Sequence, residues 1–312
     1  MLPAVMAAAG APVRLIFDTD MGNDVDDALA LAMIHALQSQ GEAKLLAVTL
    51  TKDNRCAAPF VDIVNTFYGR GDIPVGVVRN GKTPNDSPMI CVPVERKHPD
   101  GSFVYPRRLT DFREAPDAVD LLRKTLAKEK DGTVTIVQVG FSTNLARLLE
   151  SDRDLVARKV RLLSVMAGAF PDGKPEYNVK TDIPAAKKLF AEWPSPIVAS
   201  GYEVGLSILY PASSIEKDFG YTADHPVAEA YRCYKRMPYD RPTWDPTAVL
   251  YAVRPQGYFS VSPRGTITVD EEGRTHFNPD ASGRHRYLQV DAAQRARVLR
   301  AMIELATRRP DH

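Results

Sequence analysis

Residues 13–50 read VRLIFDTDMGNDVDDALALAMIHALQSQGEAKLLAVTL. Val13–Phe17 is a short β-rich run that ends at Asp18 and opens into Gly22-Asn23-Asp24, a loop signal. Ala28, Leu29, Ala32, Met33, Ala36 and Leu37 then recur at three-to-four spacing, while Leu31 and Ile34 occupy other faces, which predicts a helix packed on several sides. The pattern stops at Gln40-Gly41, and Ala43–Leu50 is the nearly continuous apolar run of a strand buried inside a parallel sheet. Strand, helix and strand close one βαβ unit.

The alternation continues outward. Helices are expected near Pro59–Tyr68, Asp117–Glu129 and Ile183–Glu192, and strands near Pro74–Val78, Thr133–Val139, Val160–Ala167 and Pro196–Ser200. This predicts an α/β fold with an open, mostly parallel, doubly wound sheet flanked by helices. Gly257–Val290 alternates in short segments broken by Gly and Pro, a small antiparallel excursion before a helix over Ala292–Thr307. No repeat or linker interrupts residues 12–308, read as a single domain. Residues 1–11 are read as a frayed start or the remnant of a signal peptide. Gly81–Arg113, with five prolines, carries no confident element and is a candidate loop over the site.

The 312 residues are 44% hydrophobic and 25% charged, proportions of an ordinary packed chain, which excludes a disordered or disulfide-stapled protein. Forty Lys and Arg against 39 Asp and Glu leave a formal charge of +1, so a general nucleic-acid binder is not expected. No run reaches the roughly 18 apolar residues of a membrane-spanning helix. Cys56, Cys91 and Cys233 have no metal or redox spacing and are read as small buried hydrophobes in a reduced chain. The expected location is cytoplasmic, with export as the alternative.

Asp18, Asp20, Asp24, Asp26 and Asp27 crowd the end of the first strand, where open α/β sheets bind ligands. Capping accounts for one or two carboxylates at a helix start. Five repel one another unless a cation or donors offset the charge. A hard divalent ion such as Ca²⁺ suits oxygen ligands, yet an EF-hand does not fit, because Leu29 stands where its twelfth-position Glu belongs. The remaining ligands must come from elsewhere in the chain.

The run from Asp18 to Ala30 resembles the N-terminal signature of the nucleoside hydrolases, D-x-D-P-G-x-D-D-A, with Met21 in place of Pro and two extra residues before Asp26-Asp27. Leu45–Thr49 with Asn54, Thr135–Gly140 with Thr143–Ala146, and Met166-Ala167-Gly168 with Glu176-Tyr177-Asn178 and Asp182 are similar to later stretches of that family. Trp244-Asp245-Pro246 is similar to its H-D-P motif, with Trp for His.

The resemblance implies hydrolysis of the N-glycosidic bond of ribonucleosides to free base and ribose. It implies Ca²⁺ held by Asp20, Asp27, Asp245 and the Val139 carbonyl, with Asp20 accepting a proton from a water. Asp26, Asn54, Glu176 and Asn178 would hold the sugar, and Trp244 would lie near the base. Asp24 is then extra, a cap or a support, and Lys52 is expected to pair with one of the acids. The partner is a small nucleoside, and the chain is expected to form a homodimer or homotetramer. Trp cannot serve as the general acid that His supplies, although its ring can stack on a base. His98 is the substitute acid that the sequence offers. His35 is read as packing or surface, and His225, His276, His285 and His312 as solvated. Tyr231, Tyr234 and Tyr239 are read as packing.

Two other functions are open. Asp18-Thr19-Asp20 after a strand imitates the D-x-D nucleophile of phosphatases of the haloacid dehalogenase type. A non-catalytic nucleoside- or ribose-binding protein that keeps the metal site is the other.

Overall fold

The computed structural model describes residues 10–171 and 173–311, so most of the proposed leader, residues 1–9, and His312 lie outside the described residues. The strands are β1 (Val13–Thr19), β2 (Ala43–Lys52), β3 (Val75–Lys82), β4 (Val134–Gln138), β5 (Val160–Met166), β6 (Ile197–Ser200), β7 (Leu209–Tyr210), β8 (Arg241–Pro242), β9 (Ser260–Val261), β10 (Gly265–Val269), β11 (Thr275–Pro279) and β12 (His285–Gln289). The helices are α1 (Asp26–Ser39), α2 (Ala57–Phe67), α3 (Pro88–Glu95), α4 (Ala118–Lys128), α5 (Thr143–Lys159), α6 (Tyr177–Thr181), α7 (Ile183–Glu192), α8 (Tyr202–Leu206), α9 (Ala212–Lys217), α10 (Pro226–Tyr234), α11 (Asp245–Val253) and α12 (Ala292–Ala306).

The main sheet runs β11-β10-β12-β6-β5-β4-β1-β2-β3, with β9 on β12. β1 to β6 and β12 pair in parallel, while β10 is antiparallel to β11 and β12, so the expected excursion forms one edge of the same sheet. The chain winds from β1 through β2 to β3 in one direction and then from β4 to β6 in the other, so β1 and β4 adjoin where it reverses. That opens a crevice at the carboxyl ends, where β1 delivers Asp18–Asp20 and β4 delivers Val139.

Alternation within the strands assigns the two layers. Leu15 and Phe17 enter the core beneath α1, α2 and α11, whereas Ile16 between them enters the core beneath α5 and α7; Val137 and Ile136 of β4 divide in the same way. Both faces are covered, which is why the central strands read as unbroken apolar runs.

The structure corrects several sequence expectations. Cys56 and Cys91 form a disulfide with Cα atoms 5.2 Å apart, and only Cys233 among the described cysteines is a free thiol. They lie 35 positions apart, and only the packing of α3 on the start of α2 brings them together. Within Gly81–Arg113 a helix forms, α3, despite Pro93 inside it. Its residues Met89, Ile90 and Val94 join the core, so tertiary burial outweighs the proline signal. His225 and His285, expected in solvent, are buried; His225 hydrogen-bonds the Tyr221 hydroxyl, and His285 accepts from the Ile267 amide. His35 is buried against Asn65 and stacked on Tyr68. No helix is long and apolar enough to cross a membrane among the described residues.

Candidate active site

β1 ends in a turn that needs glycine. Gly22 has φ +113°, a conformation that costs an L side chain strain but glycine little, and the Asn23 amide closes the turn on the Asp20 carbonyl. Gly140, after β4, is required by close approach, since a Cβ there would lie 2.5 Å from the Asp20 nitrogen. Gly140 thus lets the ends of β1 and β4 touch.

The turn feeds α1, whose first residues are Asp26 and Asp27. Asp26 Oδ2 accepts from the backbone amides of Trp244 (2.8 Å) and Asp245 (3.1 Å). A carboxylate at that place complements the positive start of α11 and fixes Asp245 beside α1. Carboxylate oxygens of Asp26, Asp27 and Asp245, 219 positions apart at the extremes, lie within 4.8 Å of one another. Asp20 and Val139 line the same cavity, of about 310 Å³.

Burial dominates the electrostatics of this cluster. It raises Asp20 to about 6, and it raises Asp26, Asp27 and Asp245 well above the usual carboxylate range, with repulsion among the aspartates adding to the effect. Asp27 Oδ1 accepts from the Thr19 hydroxyl, and its Oδ2 is buried without a partner. An unpartnered buried carboxylate oxygen within a ring of carboxylates is a costly arrangement that a bound cation relieves. Oxygen-only donors, three or four of them carboxylates and one a main-chain carbonyl, suit a hard divalent ion.

The sugar-side residues divide. Glu176 is buried, raised to about 7 by desolvation, and accepts from the amides of Gly168, Asn178 and Val179. Asn178 donates to the carbonyls of Val139 (2.7 Å) and Met166 (3.1 Å), which ties α6 to the ends of β4 and β5. Both line the cavity. Asn54 does not. Its amide donates to the Pro84 carbonyl and Asp86 Oδ1, and its oxygen accepts from the Cys56 amide, so it braces the loop before α3.

Asp18, also raised by burial to about 7, is sealed beneath the cavity floor, where its Oδ1 accepts from Thr49 and Asn144. Side chains so enclosed cannot attack a phosphate, which removes the D-x-D phosphatase reading at its first residue. Asp24 does not cap α1; it forms a two-point ion pair with Arg241 of β8, Nε to Oδ1 being 3.0 Å. Lys52 makes no carboxylate hydrogen bond: its ammonium donates to Asn23 Oδ1 and the Thr83 carbonyl, and Asn23 in turn donates to Asp20 Oδ2 at 2.7 Å. Asn23, Arg241, Tyr177 and Tyr202 were not singled out as site residues by the sequence; Asn23 and Arg241 carried no signal except through partners distant in the chain.

The cavity lining also includes aromatic rings. Trp244 is half-buried, its ring centroid 5.7 Å from that of Tyr202 with planes 25° apart, and its indole N–H donates to the Tyr202 carbonyl at 2.8 Å. Tyr177 and Tyr202 are 55% and 39% exposed at the cavity mouth. No histidine lines the cavity among the described residues, and His98 is exposed in the turn closed by the Lys97 and Phe103 pairing.

The family model described as inosine-uridine preferring nucleoside hydrolase matches residues 15–303, nearly the whole chain. The chain belongs to the inosine-uridine preferring nucleoside hydrolase family. Among curated nucleoside hydrolases, the pyrimidine-specific ribonucleoside hydrolase RihA of Salmonella paratyphi B is 28% identical over 277 residues, covering 79% of this chain and 81% of that protein. Two solved structures share the nucleoside hydrolase fold. A plant nucleoside hydrolase superposes with a TM-score of 0.73 at 22% identity over 95% of this chain and 99% of its own. The purine-preferring ribonucleoside hydrolase from Gardnerella vaginalis superposes with a TM-score of 0.72 at 21% identity over 94% and 99%. Membership in this nucleoside hydrolase family makes the protein a hydrolase of ribonucleosides in general, and the aspartate cluster is its candidate metal centre. It also displaces the haloacid dehalogenase reading.

Proposed function

We propose that this protein is a Ca²⁺-dependent N-ribosyl hydrolase that cleaves ribonucleosides to free base and ribose, residues 12–308 acting as one domain. The observation that carries this reading is the convergence of Asp20, Asp27, Asp245 and Val139, from three separate segments, on one cavity. Bound there, Ca²⁺ would supply the positive charge that acidifies a water and grips a vicinal diol.

The chain's own residues account for the other requirements. Asp20, oriented by Asn23, is the base that takes a proton from the attacking water. Asp26 is itself one of the three clustered carboxylates with Asp27 and Asp245, close enough to share the ion or to meet a sugar hydroxyl, while Glu176 and Asn178 line the same cavity on the sugar side. Asn54 would reach substrate only if the loop at Pro84–Asp86 released its amide. Six carboxylates line the cavity, Asp20, Asp24, Asp26, Asp27, Glu176 and Asp245, so a neutral nucleoside is favoured over a phosphorylated one. Trp244 offers the base a flat face, and because its N–H is engaged by Tyr202 it does not protonate the leaving group.

That engagement also favours a second reading, a nucleoside-binding protein without turnover. Incubating the pure protein with inosine and uridine, with and without chelator, separates the two. Release of base and ribose that chelator stops and Asp20→Ala abolishes supports hydrolysis. Calorimetric binding without release supports the second reading, and neither binding nor release ends both. The homodimer or homotetramer belongs to this proposal and is read by light scattering. The Cys56–Cys91 bond favours the exported alternative over the cytoplasmic one.

A further inference from the structure

Two departures from the family pattern stand far apart in the sequence: the two extra residues before Asp26-Asp27, and Trp244 in the place of His. The structure joins them. Asp24, within the longer turn, holds the Arg241 guanidinium through two oxygens, and the guanidinium carbon lies 5.2 Å from the Trp244 ring centroid and 5.1 Å from that of Tyr234. The Tyr234 hydroxyl accepts a third bond from Arg241 at 3.0 Å. Trp244 is further fixed by its N–H on the Tyr202 carbonyl and by the flat seat at Gly205, where any side chain would collide with the indole.

We infer that Asp24, Arg241 and Trp244 form one leaving-group subsite, in which Arg241 is a positioning residue that holds the Trp244 face toward the base. The inference rests on the hydrolase reading above. Its chemistry follows from what the subsite offers. As the N-glycosidic bond breaks, its electron pair goes to the base, which becomes more negative. A histidine would answer by giving up a proton. Trp244 cannot, and its one donor is already occupied. A guanidinium held in one orientation by Asp24 and lying against the indole keeps that ring in place for the departing base to stack on, which needs no proton transfer. Arg241 itself is not part of the cavity lining, so its effect passes through Trp244.

Leaving-group dependence tests this. Arg241→Ala should lower kcat/KM for inosine and uridine by about 100-fold, mostly in kcat. For p-nitrophenyl β-D-ribofuranoside, whose leaving group carries its own charge without help, the loss should stay within about threefold. Arg241→Lys, which keeps the charge but not the fork, should recover about a tenth of the wild-type rate. If Arg241→Ala does not fold, Asp24→Asn should give the same selective loss with the guanidinium intact. Equal losses on nucleoside and nitrophenyl riboside, no loss on either, or a Lys variant no better than Ala would each overturn the proposal. A wild-type protein that cleaves the nitrophenyl riboside but neither nucleoside would overturn it while leaving the hydrolytic centre standing. Failure on all three substrates in the presence of Ca²⁺ defeats the underlying reading and this one with it.

Discussion

The two ends of the cavity are built on opposite principles. At the acidic end, buried carboxylates come from the rigid termini of β1, α1 and α11 and are pinned by backbone amides, as Asp26 is by Trp244 and Asp245. At the aromatic end, Tyr177, Tyr202 and Trp244 are partly exposed and sit on short helices or helix starts. The first end costs stability unless charge is neutralised, and such strain is retained where it holds a specific ligand. The second end carries little strain and is free to vary. Activation of water and grip on the sugar therefore belong to the acids, and the handling of the departing base to the rings.

Mutagenesis can break that division. Asp20→Ala should reduce kcat on every nucleoside by about 10²- to 10⁴-fold, the range for loss of a general base, with the fold retained by circular dichroism. An equal loss from Trp244→Ala would erase the contrast. Trp244→Ala should instead weaken kcat/KM by about 1–3 kcal/mol, the worth of one base–aromatic stack, and to different extents for purine and pyrimidine nucleosides.

The acidic end should also declare itself in stability without substrate. Asp18 and Glu176 titrate near 7 and Asp20 near 6 when folded, because burial raises them from 3.8 and 4.5. Between the two sets of values these acids bind more protons in the folded chain than in the unfolded one, so their contribution to stability falls as pH rises. The buried His35, His225 and His285, lowered by desolvation to about 3, 3 and 4, act in the opposite direction below pH 6.5. The metal-free protein should thus melt at a lower temperature at pH 8 than at pH 6.5. Saturating Ca²⁺, at a hundred times its dissociation constant, should restore about 2.7 kcal/mol at pH 8 and less at pH 6.5. A metal-free melting temperature that rises from pH 6.5 to pH 8 would contradict the electrostatics assigned here.

The smallest effect on the site is expected from Cys56→Ser. It removes a 35-residue closure and should cost about 3–4 kcal/mol of stability, yet change kcat by less than about threefold, since the bond braces α3 and lies outside both ends of the cavity. A large loss of turnover in a folded variant would show that the Asn54 and Pro84 loop takes part in catalysis.

Much of the fold was legible because its signals are local. The βαβ opening, the buried strands and α7, matched residue for residue at Ile183–Glu192, follow from periodicity and length. What escaped were elements whose stability comes from contact: α3 with its internal proline, the short helices α8 and α9, and the long α5 beyond Ala146. At the site, Asp20, Asp26, Asp27, Glu176, Asn178, Trp244 and Asp245 were named from motifs and share one cavity, whereas Asn54 faces a loop. Arg241 was missed because an arginine in an irregular segment has no pattern until its partner is known.

The amino-acid order alone determined the layered α/β architecture and the crowding of acids at the end of β1, since both depend on neighbours within a few positions. Only the tertiary structure decided that Asp24 meets Arg241, that the Trp244 N–H is taken by Tyr202, and that Cys56 meets Cys91. These pairings join segments up to 217 positions apart, and their partners are chosen by packing geometry, which no local pattern encodes.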